Sequence, residues 1–72
     1  MNNYKMLMYN PVADKWEEVC EHTVDFKYAR NDDLCVFGVQ NPDGIRLWLN
    51  LCFTEALRRV QRLRRATSGK NR

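Results

Sequence analysis

Residues 54–66 place apolar and arginine side chains with the period of an α-helix, and this stretch limits what the rest of the chain can be. At about 100° per residue, Phe53, Ala56, Leu57, Val60, Leu63 and Arg64 share one side. Arg58, Arg62 and Arg65 run down the opposite side, and Arg59 flanks them. A helix of about 13 residues is marginal alone in water, so Leu57, Val60 and Leu63 must dock on another surface. The arginines are then left facing outward. Thr54 is placed to cap the helix through its hydroxyl, and Glu55 lies favourably near the positive end of the dipole. Thr67, Ser68 and Gly69 are expected to end the helix, which leaves 68–72 as a flexible basic tail behind a single α+β domain of residues 1–67.

The partner surface is expected to be a sheet. Tyr4–Tyr9 reads as a strand, Asn10-Pro11-Val12-Ala13-Asp14 as a turn, and Lys15–Glu21 as the return strand. The stretch Tyr9-Asn10-Pro11 to Lys15-Trp16-Glu17-Glu18-Val19 resembles the strand-turn-strand segment of kelch-type blades over about a dozen residues. It lacks their glycine pair and any repeat, so the resemblance implies a hairpin only. A competing reading starts a helix at 11–21, with Asn10 as cap, Pro11 at its first position, and Val12, Trp16, Val19 and Cys20 as its apolar stripe. From Thr23, Val24, Phe26 and Tyr28 alternate with Asp25, Lys27 and Ala29, which predicts a further strand. Leu34–Gln40 follows as a strand, and Asn41-Pro42-Asp43-Gly44 is the strongest turn signal in the chain. Ile45–Leu51 then puts Ile45, Leu47, Leu49 and Leu51 on one face and Arg46, Trp48 and Asn50 on the other.

The expected architecture is therefore an α+β domain, an antiparallel meander of four or five strands packed on one C-terminal helix. If 11–21 is helical the order becomes αβββα, which resembles double-stranded-RNA-binding domains. Their glycine-lysine-lysine signature is missing at the last helix, where Asn50-Leu51-Cys52-Phe53-Thr54-Glu55 stands instead.

At 72 residues, 44% of them hydrophobic, the chain is too apolar to stay disordered and too small to enclose a deep catalytic cleft. Cys20, Cys35 and Cys52 are odd in number and have no Cys-x-x-Cys spacing, which fits reduced thiols in a cytoplasmic setting. The single histidine, His22, has only Cys20 near it in sequence, so neither a metal nor another cofactor is expected. Cys20 is expected to be a small buried hydrophobe rather than a nucleophile. The N-terminal stretch shows no secretory signal, and no run of about 18 apolar residues suggests a membrane span.

Charge is strongly polarised. Residues 1–52 hold five basic against eight acidic side chains, a net of −3, and residues 53–72 hold seven against one, a net of +6, which together give the formal +3. Five arginines, Arg58, Arg59, Arg62, Arg64 and Arg65, fall within eight residues. Cations in the last turn favour the helix dipole, which accounts for Arg64 and Arg65 without invoking a ligand. Arg58, Arg59 and Arg62 need another reason, and arginine is the side chain suited to forked hydrogen bonds with phosphate or carboxylate. The alternative is a solvated or self-paired face, with the helix bridging to Glu17, Glu18 or Glu21 at little gain in stability.

The leading expectation is a non-enzymatic binding module in which Arg58, Arg59, Arg62, Arg65, Lys70 and Arg72 meet an anionic partner, nucleic acid first. Four or five phosphate contacts would give a log–log salt slope of about −4. The alternative is a protein-protein regulator of the kind found among small phage or mobile-element inhibitors. It would use the arginine helix or an acidic patch of Glu17, Glu18, Glu21, Asp25, Asp32 and Asp33, with Trp48 as an apolar contact. A homodimer through Trp48 or Leu51 on an edge strand stays open.

Overall fold

The computed structural model describes residues 3–70, with side chains through residue 67. Four strands, β1 (Lys5–Asn10), β2 (Lys15–Val19), β3 (Phe37–Gln40) and β4 (Arg46–Leu51), form one antiparallel sheet in the order β2-β1-β3-β4. The C-terminal helix α2 (Phe53–Lys70) packs on one face of the sheet. The four-strand form of the expected α+β architecture is the one observed. Two hairpins lie side by side, with β1 and β3 central. A 3-10 turn at Glu21–Thr23 and a one-turn helix α1 (Phe26–Ala29) carry the chain from β2 to β3.

The first hairpin decides between the two readings of 11–21. Asn10 Oδ1 accepts hydrogen bonds from the amides of Val12 (3.0 Å) and Ala13 (3.2 Å), and Asp14 takes a left-handed φ of 53°. An Asx turn of this kind folds the chain back before a helix can propagate. The Tyr9 hydroxyl donates to Asp14, and the Tyr9 and Trp16 rings meet at 5.5 Å as cross-strand neighbours. Val12, proposed for a helical stripe, is 96% exposed at the turn tip.

The second turn follows its sequence signal closely. Asn41 Oδ1 accepts from Asp43 N (2.9 Å) and Ile45 N (2.8 Å), and Gly44 supplies φ 89°.

Side-chain direction follows from the register. Met6 pairs with Val19 and Val39, and Met8 with Glu17 and Phe37, so these residues share the helix-facing side. Met6, Phe37 and Val39 form the core with Ala56 and Val60 of α2, all at 0% exposure. Each large apolar side chain so buried contributes roughly 1.5–3 kcal/mol. Phe37 is the hub, with edge-on ring contacts to Phe53 (5.4 Å) and Tyr28 (6.3 Å). Leu7 points to the open face with Glu18 and Gly38, and it is nevertheless only 1% exposed. Gln40 donates to Glu18 at 2.9 Å, a bridge from β3 to β2 across the intervening β1.

Three expectations are corrected here. The strand expected from Thr23 is instead the end of a 3-10 turn, an extended Val24 and the helical turn Phe26–Ala29. Asp25 accepts from Lys27 N at 3.1 Å as an N-cap, and Val24 and Tyr28, four residues apart, both reach the core while Phe26 stays 68% exposed. Val24 stands before the cap in an extended conformation, so the turn at Asp25, and not a single period, brings it and Tyr28 to the core and leaves Phe26 outside. In β4 the simple alternation fails, because register shifts separate the pairs Gln40–Arg46, Val39–Trp48 and Phe37–Leu51, and Asn50 adopts φ 63°. These bulges bring Leu51 to the helix side with Trp48 rather than leaving it opposite. Finally, Cys20 is exposed between β2 and the 3-10 turn, since the strand stops at Val19.

At α2 the helix begins at Phe53, and the Thr54 hydroxyl donates to Asp32 Oδ1 at 3.2 Å instead of capping. The helix also continues through Ser68 and Gly69 to Lys70. The proposed tail residues Asn71 and Arg72 lie outside the described residues.

Candidate functional site

The docked face of α2 turns its arginines toward solvent, as amphipathic packing requires. Arg58, Arg62 and Arg65 are exposed, four and three residues apart, and so run along the helix for about 10 Å. Arg62 and Arg65 form no ion pair among the described residues. Arg58 and Arg59 share one carboxylate. Arg58 Nη2 donates to Glu55 Oε1 at 2.6 Å, and Arg59 Nε to Glu55 Oε2 at 2.7 Å. The bond from Arg59, and then that from Arg58, holds the Glu55 carboxyl below its ordinary value. Arg59 also lies over the Trp48 ring, 4.7 Å from its centroid, which draws together the helix and the edge strand β4.

Arg64 does different work. It faces the sheet rather than the solvent stripe, and its Nη1 donates to Glu21 Oε2 at 2.5 Å while Nε and Nη2 donate to the Tyr4 carbonyl at 3.0 and 2.8 Å. The Glu21 side chain is 9% exposed. Burial alone would raise its pKa, but the Arg64 bond, a backbone bond and the charge of Arg64 together leave it lowered. Arg64 therefore ties α2 to the start of β1 and to the segment after β2.

The acidic candidates do not gather into one patch. Glu17 lies on the helix side of β2, accepting from Asn10 Nδ2 at 3.2 Å, and Glu18 lies on the open face with Gln40. Glu21 is held by Arg64, Asp25 caps α1, and Asp32 accepts from Thr54 at the start of α2. Asp33 is exposed beside them in the β2–β3 connection. Trp48 is 38% exposed and covered in part by Arg59. Lys70 and Arg72 lie where side chains are not described.

Sequence reasoning missed Glu55 as the partner of two arginines, and it named Glu21 only as one of three carboxylates, with Glu17 and Glu18, to which the helix could bridge. The first was legible, since Glu55 stands three and four residues before Arg58 and Arg59. The second pairs residues 43 apart and carried no local signal.

Among the described residues no three His, Cys, Asp or Glu side chains converge as metal ligands, and no helix is long and apolar enough to cross a membrane. What the arrangement offers chemically is fixed positive charge on a rigid rod, with forked donors facing outward. Comparison with protein-family models, curated proteins and solved structures found no match.

Proposed function

We propose that this chain is a non-enzymatic binding module, acting in the cytoplasm, whose helix α2 engages the phosphates of nucleic acid through Arg58, Arg59, Arg62 and Arg65. The observation that carries the reading is that Arg62 and Arg65 face outward with no ion pair among the described residues, on a helix whose other face packs on the core. Arginines recruited only for the dipole would cluster in the last turn, whereas this stripe begins in the second.

Glu55 offsets one of the four charges, so the face carries four minus one, or +3. The salt slope on duplex DNA should then be near about −3 rather than about −4. Contacts of this kind hold the backbone and read little sequence. The experiment is a binding titration of a fluorescent 20-base-pair duplex and a single-stranded RNA of equal length. Arg62→Ala/Arg65→Ala should lose at least about tenfold in affinity with helix content unchanged. Equal affinity of variant and parent would remove the proposal.

The alternative of a protein regulator acting through its acidic patch draws less support, because Glu17, Glu18, Glu21, Asp25 and Asp32 already serve bonds within the chain, and a regulator acting through the arginine helix is separated from the nucleic-acid reading by the same titration.

A further inference from the structure

The pairing of Arg58 and Arg59 with one carboxylate has a consequence for ligand choice. Glu55 sits one turn before both arginines, and its side chain is 27% exposed against 63% for Arg58 and 35% for Arg59. Any anion that approaches these two guanidiniums meets a carboxylate already bonded to each, at 2.6 and 2.7 Å. Being on the same helix, Glu55 competes at high effective concentration, so a single carboxylate or phosphate from solution gains little by replacing it. Arg62 and Arg65 lie further along the same stripe without such a competitor among the described residues.

Resting on the nucleic-acid reading above, we propose that Glu55 is an internal competitor that yields Arg58 and Arg59 only to a ligand with contiguous phosphates. The helix thereby selects phosphodiester chains over carboxylate-rich proteins. A polyphosphodiester anchored on Arg62 and Arg65 presents its next phosphates to Arg58 and Arg59 as an intramolecular event, and two forked, charge-assisted contacts outweigh the bonds to Glu55. A run of protein carboxylates gains the same intramolecular assistance, but each of its groups is a carboxylate like Glu55, so the exchange is like for like and brings no stronger contact. Arg59 stays over Trp48 during the exchange, because the stack uses the guanidinium face and the carboxylate its edge.

The test measures binding of a 20-base-pair DNA duplex and of a poly-glutamate chain of similar charge to the intact protein and to Glu55→Gln. Glutamine keeps helix propensity and removes the charge. Poly-glutamate should tighten more than the duplex, so that the ratio of the two dissociation constants narrows by about fivefold to tenfold. In parallel, Arg58→Gln/Arg59→Gln should weaken duplex binding and leave poly-glutamate binding within about twofold, which covers the case in which Glu55→Gln perturbs the helix. A ratio unchanged by Glu55→Gln, or equal losses for both ligands in the arginine double variant, overturns the inference while duplex binding by the parent still upholds the reading beneath it. If the parent binds no duplex, both fall together.

Discussion

The guanidinium of Arg64 closes on the main-chain carbonyl of Tyr4, 60 residues earlier, through two hydrogen bonds of 3.0 and 2.8 Å. Its remaining arm holds Glu21, so a single side chain joins the helix to the residue before β1 and the segment after β2. Two of the chain's most distant segments are thus tied by one group, outside the apolar core.

Removing this tie should be costly for so small a domain. Arg64→Gln leaves Glu21 as a largely buried carboxylate and should lower stability by about 1–3 kcal/mol, measured as a shift in urea midpoint. Arg62→Gln, on the solvent face, should change it by less than about 0.5 kcal/mol.

Acid should loosen the same contact. The folded-state pKa of Glu21 lies below the ordinary 4.5, so its contribution is fully present above that value and is lost as pH falls through the lowered one. Glu55 shifts in the same direction and adds to the same acid limb. In Glu21→Gln the fall in stability below pH 4.5 should be shallower than in the parent, as read from thermal unfolding across an acid series.

Gly38 tests the packing of β3 against β4. A Cβ there would lie 2.6 Å from the Trp48 carbonyl oxygen and 2.9 Å from Leu49 Cδ2, and the first of these is backbone that cannot rotate aside. Gly38→Ala should therefore cost about 1–3 kcal/mol, with amide exchange accelerating first along β4.

The short helix α1 makes the opposite prediction at Phe26. Because that ring is 68% exposed, Phe26→Thr should change stability by less than about 1 kcal/mol, whereas Phe37→Ala, at 0% exposure, should cost about 3–5 kcal/mol and leave the chain largely unfolded. Denaturation of the two variants side by side distinguishes a helical 26–29 from the strand its alternation suggests.

That segment marks where the sequence could be read and where it could not. The turns at Asn10–Asp14 and Asn41–Gly44 were legible because asparagine side chains and a glycine build them locally. The apolar stripe Leu57, Val60 and Leu63 was legible because 3.6-residue spacing on a polar helix has few other meanings. Val24, Phe26 and Tyr28 alternate as a strand would, and it is the cap at Asp25 between an extended Val24 and the turn Phe26–Ala29 that breaks the pattern. The bulges of β4 are likewise set by its fit to β3, and they moved Leu51 across the sheet. In the candidate site the solvent stripe Arg58, Arg62 and Arg65 followed from geometry. The docked side of Arg64 followed from the same geometry, but the choice of Glu21 over Glu17 and Glu18 as its partner, and its bonds to the Tyr4 carbonyl, become visible only when the chain is folded.

The most direct test of the arginine face is the salt dependence of duplex binding. A log–log slope of about −3, equal to about a 60-fold loss between 50 and 200 mM salt, is expected of the parent, and a slope shallower by about 2 is expected of Arg62→Ala/Arg65→Ala. Binding that is absent, or indifferent to salt in the parent, would contradict the role assigned to the helix.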